Sequence, residues 1–293
     1  MIYDNAEVPL VHGIIDNGNR TIKRVNLITP NGYDEDFLNR LESKDLPYPI
    51  KMNMLLSRVV QFDSNNKSNE KHVLYCVRNM TIGDRAYLVF LVRQSMYGNS
   101  IYFDVMCDSC QKTMSIHLPV NQVLAHSFSG QNKPNVVIEK VGAHYRLKLS
   151  DCVIEFRLLT GFDQEKLLSD NMDDMELLQS CILNMDAIVR QKLDDTKFVN
   201  LLSSVLSHLD PLSDIVLTQI CPSCNTATKI PFFIEDYLFK EIRSRKNNLE
   251  WEVHWLALNY HWSESEILKL PINKRRRYVE LINNTLGGEV TIG

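Results

Sequence analysis

Apolar residues recur at helical spacing along much of this chain, most clearly in its second half. Met175, Leu178, Cys181, Ile182, Met185 and Val189 form one stripe, which predicts a helix over 175–189. Phe198, Leu201, Leu202, Val205, Leu206 and Leu209 form another, opened by Asp195 and closed by Pro211. In the first half, 52–60 reads as a helix. So does 84–96, although its run Tyr87-Leu-Val-Phe-Leu-Val92 also suits a buried strand. Near the end, 249–262 carries Trp251, Trp255, Leu258 and Trp262 close to one helical face. Ser263 to Glu266 has the spacing of a capping box, and 273–282 reads as one more short helix.

Extended runs fill the gaps. Residues 100–106, 113–118, 214–220 and 228–233 read as strands, and 136–140, 145–149 and 152–158 as a small meander. Polar stretches at 64–71 and 127–135 read as loops, and 287–293 as a loose tail. Two helix starts share one order of signals, Gly32-Tyr33-Asp34-Glu35-Asp36-Phe37-Leu38 and Gly161-Phe162-Asp163-Gln164-Glu165-Lys166-Leu167. Each is a glycine turn, then an Asp that accepts exposed backbone N–H groups at the positive end of a helix. The order of helix start, further helices, strand, cysteine pair and strand therefore occurs twice.

Cys107-Asp-Ser-Cys110 and Cys221-Pro-Ser-Cys224 are the two cysteine pairs. Each sits between two extended runs, the geometry of a zinc knuckle. Thiolates from both pairs, brought together by folding, would hold one tetrahedral Zn2+ with no coordination position left for a substrate. The gap between the pairs far exceeds the roughly 15–20 residues of a compact ribbon, and a duplication accounts for it. The residue after the second cysteine of a knuckle needs a left-handed backbone, which suits Asn225 better than Gln111. A redox dithiol and plain buried thiols are the competing readings. The expected fold is α+β: two similar zinc-linked halves, 1–126 and 127–240, followed by a Trp-rich helical docking segment, 241–293.

Composition narrows the functional classes. The 293 residues have a formal net charge of -4, with 44% hydrophobic and 23% charged content, which gives no overall attraction to nucleic acid or membrane. No apolar run nears the ~18–20 residues of a membrane span. The start lacks the basic segment and apolar core of a signal peptide. Seven cysteines without such a signal fit a reducing compartment, with Cys76, Cys152 and Cys181 read as small core residues. His117 and His126 lack finger spacing, His254 and His261 read as packing or interface residues, and His208 lies at a helix end. No hydrolase, metalloprotease, P-loop or dinucleotide motif is present, and paired acids such as Asp173-Asp174 read as caps. Trp251, Trp255 and Trp262, with the basic run Lys274-Arg275-Arg276-Arg277, are the residues best suited to anchor a partner protein.

The Gly-aromatic-Asp turns, Cys107-x-x-Cys110 after Tyr97-Gly-Asn-Ser-Ile101, and Cys221-Pro-x-Cys224 form one pattern with Trp251-Glu-Val-His-Trp255, Tyr260-His-Trp-Ser263, Ile267-Leu-Lys-Leu-Pro271 and Arg275-Arg-Arg-Tyr278. Over roughly residues 25–282 it resembles the baseplate hub or hub-assembly proteins of contractile-tailed bacteriophages and related injection machines. The resemblance implies a non-enzymatic virion or assembly protein, made in the host cytoplasm and acting at the tail baseplate. It would be a hub or wedge component or an assembly factor, with other tail proteins as partners and no small-molecule substrate. The first 24 residues have no counterpart in the pattern. The alternative is a zinc-containing nucleic-acid or transcription-associated binder using the basic run, and a thiol oxidoreductase comes third.

Overall fold

In the computed structural model, residues 6–62, 69–126, 135–170 and 172–286 are described. The expected loop at 64–71 and tail at 287–293 lie largely or wholly outside them. Strand β1 (Ala6–Ile15) turns Val8, Leu10 and Ile14 inward and pairs antiparallel with β2 (Thr21–Leu27). Asp16 closes the turn by accepting N–H from Gly18 at 2.9 Å and Arg20 at 2.8 Å. The pairing slips between Pro9 and Ile14, where Gly13 takes φ +75°. The Asn17-Gly18 dipeptide in the turn is a hairpin signal that the sequence reading passed over.

Helix α1 (Gly32–Glu42) starts at Asn31, whose side chain caps the Tyr33 and Asp34 amides while Asp34 caps back. Then come α2 (Tyr48–Val59), which runs into a short β3 (Val60–Gln61) beside β2, and α3 (Glu70–Asn79). Helix α4 (Ile82–Tyr97) follows. The helix-or-strand ambiguity at 87–92 has a simple cause: every residue from Gly83 to Arg93 is buried, so no polar face marks a period. β4 (Ser100–Met106) and β5 (Thr113–Pro119) form a hairpin, and α5 (Val120–His126) follows it.

The expected meander is present as β6 (Val137–Val141), β7 (His144–Lys148) and β8 (Val153–Phe156). Helix α6 (Gly161–Ser169) has a Thr160–Asp163 capping box. The single helix expected over 175–189 is instead two, α7 (Asp174–Cys181) and α8 (Ala187–Leu193). The break follows from its polar residues. Asn184 leaves the helix to pair with the edge of β8, accepting from Glu155 N–H at 2.7 Å and donating to the Val153 carbonyl at 2.8 Å. Asp186 then caps α8. Helix α9 (Thr196–Leu209) and the hairpin β9 (Ile215–Ile220) and β10 (Ala227–Phe232) follow as read. Helix α10 (Ile234–Ser244), α11 (Asn248–Tyr260), α12 (Glu264–Leu268) and α13 (Ile272–Leu286) complete the described chain.

One core joins the β1–β3 sheet, α1 to α5 and the inner face of α10 through Leu238, Phe239 and Ile242. A second packs β7 and β8 against α7 to α9, and a third lies between α11, α12 and α13. Buried Arg93 of α4 meets Glu241 of α10 at 2.9 Å, so the segment after the second hairpin is anchored on the first core. Helix starts also cross in pairs: Thr81 forms an antiparallel bridge with Thr160, and Asn31 with Pro271. In each crossing an arginine lies over a glycine, Arg85 over Gly161 and Arg275 over Gly32. Cys76 and Cys181 are buried as expected, whereas Cys152 is half-buried.

Candidate metal centre

Both cysteine pairs lie in the turns of two-stranded hairpins built alike. In the first, Cys107 N–H donates to the Lys112 carbonyl at 2.9 Å and Gln111 N–H to the Cys107 carbonyl at 2.8 Å. In the second, Cys221 N–H donates to Thr226 and Asn225 N–H to Cys221, each at 2.9 Å. Gln111 and Asn225 both take φ +58°, the left-handed backbone expected after the second cysteine. These turns point amides inward at sulfur: Cys107 receives the backbone N–H groups of Cys110 and Ser109.

The two turns meet. The four sulfurs of Cys107, Cys110, Cys221 and Cys224 lie within 4.8 Å of one another. Across the hairpins, Cys107 is 3.6 Å from Cys224 and Cys110 is 3.7 Å from Cys221. A disulfide needs ~2.05 Å, so these are separate thiols, and none of the described cysteines forms a disulfide. Tetrahedral thiolates ~2.3 Å from a metal stand about 3.8 Å apart, close to the spacing observed. The donor set therefore fits a metal ion.

Cys107 and Cys221 are fully buried beside Met114, while Cys110 is half-buried and Cys224 exposed. Thr228 of β10 reaches across the hairpins, its hydroxyl 3.7 Å from the Cys107 sulfur. Amide donors, Cys110 first, hold Cys107 down to about 6. The hydroxyl and amide of Thr226 also lower Cys224. Cys110 accepts an amide from Lys112, which lowers it, yet burial and the three neighbouring sulfurs push it up to about 11. Donors in the two turns thus favour thiolates at Cys107 and Cys224, while burial and the crowded sulfurs oppose one at Cys110, a conflict that a bound dication removes.

The other candidate residues lie in the third core, away from the cysteines. Trp251 stacks on Trp255 at 5.7 Å, and Trp262 stacks on Tyr260 at 4.8 Å and meets Tyr278 edge-on at 5.1 Å. Trp255 Nε1–H donates to Asn283 at 3.1 Å. All three tryptophans are half-buried. Of the basic run expected to anchor a partner, only part is exposed. Arg275 is fully buried, paired with Glu252 at 2.5 Å and with Glu35. Arg276 bonds Glu252 and the Met96 carbonyl, each at 3.1 Å, and covers the Tyr97 ring. Lys274 and Arg277 alone of the run are exposed. Glu35 and Glu252 were missed because each reads as an ordinary helix-surface acid. His117 stacks on Tyr102, His254 and His261 are exposed, and the side chain of His126 lies outside the described residues.

No helix among the described residues is long and apolar enough to cross a membrane. Neither curated proteins nor solved structures give a match. A family model does: T4 bacteriophage base plate protein, over residues 52–208. That stretch opens in α2, takes in the first cysteine hairpin and ends in α9, so it holds the second core and the α2 to α5 share of the first. With more than half of its length matched in this way, the chain belongs to the T4 bacteriophage base plate protein family.

Proposed function

We propose that the protein is a non-enzymatic structural or assembly component of a contractile-tail baseplate, in its hub or wedge region, clamped by one structural zinc and binding other tail proteins. The observation that carries this reading is the closed cluster of Cys107, Cys110, Cys221 and Cys224 in a member of this family. All-sulfur donors at tetrahedral spacing favour zinc, and four protein ligands leave no site for a substrate. Zinc binding would then contribute directly to folding, because its ligands come from two hairpins far apart in the chain.

The order of elements supports an internal duplication, and with it the clamp. Helices α1 to α4, hairpin β4–β5 and α5 follow the same order as α6 to α9, hairpin β9–β10 and α10. Both series open on a capping box, Asn31 with Asp34 and Thr160 with Asp163. On this reading the halves are 1–126 and 127–240, and 241–293 is the docking segment, with α10 crossing the second boundary to pack on α1 and α4. Trp251, Trp255, Trp262 and Arg277 would face partners, while Arg275 and Arg276 hold the segment in place. The nucleic-acid reading is weaker, because ion pairs occupy two of the three arginines it relied on.

The test is elemental analysis of the purified protein together with a Cys107→Ser/Cys221→Ser variant. The expected result is one zinc per chain, with loss of metal and of cooperative melting in the variant. A variant that melts like wild type would remove the clamp. Assembly of tails carrying Arg277→Glu tests the docking face, and normal tail yield would refute it.

A further inference from the structure

A second group of ionisable side chains lies on the seam between the two parts, away from the cysteines. The bulge of β1 wraps its amides around Asp84, in the first turn of α4. Val11 N–H donates to one carboxylate oxygen at 2.6 Å, and the N–H groups of His12 and Gly13 donate to the other at 3.1 Å. Asp210, at the end of α9, is buried and accepts Gly83 N–H of α4 at 2.9 Å. Its other oxygen lies 3.3 Å from His12 Nε2, at an angle that leaves that nitrogen without a hydrogen bond. His12 Nδ1 is 3.1 Å from the Tyr145 hydroxyl of β7. Lys140 of β6 covers the Tyr145 ring at 5.6 Å. Asp16, Lys23 and Arg157 line the same cleft of about 700 Å³. Of these, Asp16 is paired with Arg20 and Arg157 with Asp163.

The outline of hydroxyl, imidazole and carboxylate suggests a nucleophile relay, but burial and the two aspartates push Tyr145 up to about 12. The hydroxyl stays protonated, which removes that reading. What remains is two buried carboxylates against one imidazole, joining β1 and α4 of the first part to β7 and α9 of the second. One added proton reduces the excess negative charge. Carried by Asp84, it relieves the repulsion with Asp210.

We propose that His12, Asp84, Asp210 and Tyr145 form a proton-operated joint between the two parts of the molecule, tighter with one extra proton and looser without it. Burial, helped by the charge of Asp210, pushes Asp84 up to about 6 against the opposing pull of His12 and the bulge amides. The folded chain then holds this proton more strongly than the unfolded one. The stabilisation is complete below the ordinary carboxylate value of 3.8 and is lost as pH rises through about 6.

Amide hydrogen exchange at Gly83 reads the seam directly. After correction for intrinsic rates, and with metal content held constant, its protection should fall about fourfold from pH 5.5 to 7.5, the linkage of one such carboxyl. In Asp84→Asn the two values should coincide. Flat protection in wild type, or the same slope in the variant, overturns the joint. Should Asp84→Asn fail to fold, carboxyl-carbon NMR of the wild type decides. An aspartate titrating near pH 6 supports the proposal, and titration of every aspartate below pH 5 refutes it.

Discussion

The guanidinium of Arg85 fills the space where a side chain on Gly161 would stand. Arg85 belongs to α4 and Gly161 opens α6, so the contact fixes how closely these two helices approach. Arg85 is buried and donates to Asn53 at 2.6 Å and to the Val77 carbonyl at 3.0 Å, which leaves it no room to yield. At the other crossing Arg275 Nη1 stands 2.9 Å from the position of a Cβ on Gly32. Gly161→Ala and Gly32→Ala should each cost about 1–3 kcal/mol, the usual range for overpacking. Urea midpoints would show it.

Glu252→Ala should destabilise strongly, because it leaves Arg275 buried with half its partners. A loss of about 3–5 kcal/mol is expected for breaking a buried pair. Arg277→Ala, at an exposed position of the same helix, should stay within about 0.5 kcal/mol of wild type. Denaturant melts of the two variants check the contrast.

Asp163 gives a pH signature. Burial alone would raise it, but Arg157, at 2.6 Å, and the Thr160 cap hold it below the usual carboxylate range. A carboxyl depressed in the folded state stabilises above its unfolded value and loses that contribution as pH falls through the folded one. Asp163→Asn should therefore cost about 1–3 kcal/mol at pH 7. The gap from wild type should narrow only below about pH 4. Thermal melts at pH 7 and in stronger acid would reveal the convergence.

The cysteine turns differ by one residue in quality. Gln111 pays for a left-handed backbone that Asn225 adopts more readily. Gln111→Gly should raise stability by about 0.5–1 kcal/mol once the larger entropy of the unfolded glycine is subtracted. Asn225→Val should lower it. Melting of metal-loaded protein would rank the three.

Removing the metal should be felt across the chain. A strong chelator is expected to abolish a single cooperative transition, since both hairpins lose their common ligand. Calorimetry with and without chelator, followed by zinc readdition, would show whether the transition returns.

Each cysteine pair was legible because CxxC spacing, flanking alternation and the residue after the second cysteine are all local signals, whereas the meeting of Cys110 with Cys221 spans 111 residues and has no local mark. The capping box at Ser263 was legible for the same reason, whereas at the start of α6 Asp163 was read as the helix-opening acceptor and its box with Thr160 was not seen. Helix α4 was ambiguous because burial on every side erased its period. The break at Ile182 was hidden because its cause, the pairing of Asn184 with β8, lies 29 residues back in the chain. Arg275 was misplaced on the surface for a similar reason: its partner Glu35 is 240 residues away.

That separation has a consequence for biosynthesis. Glu35 leaves the ribosome long before the guanidinium that will neutralise it, and Glu241 follows Arg93 by 148 residues. A nascent chain therefore carries unmatched charges at the sites of its future core until the last helices emerge. A product truncated before α13 keeps Glu35 and Glu252 without their arginine partners and should therefore be less stable than the full chain.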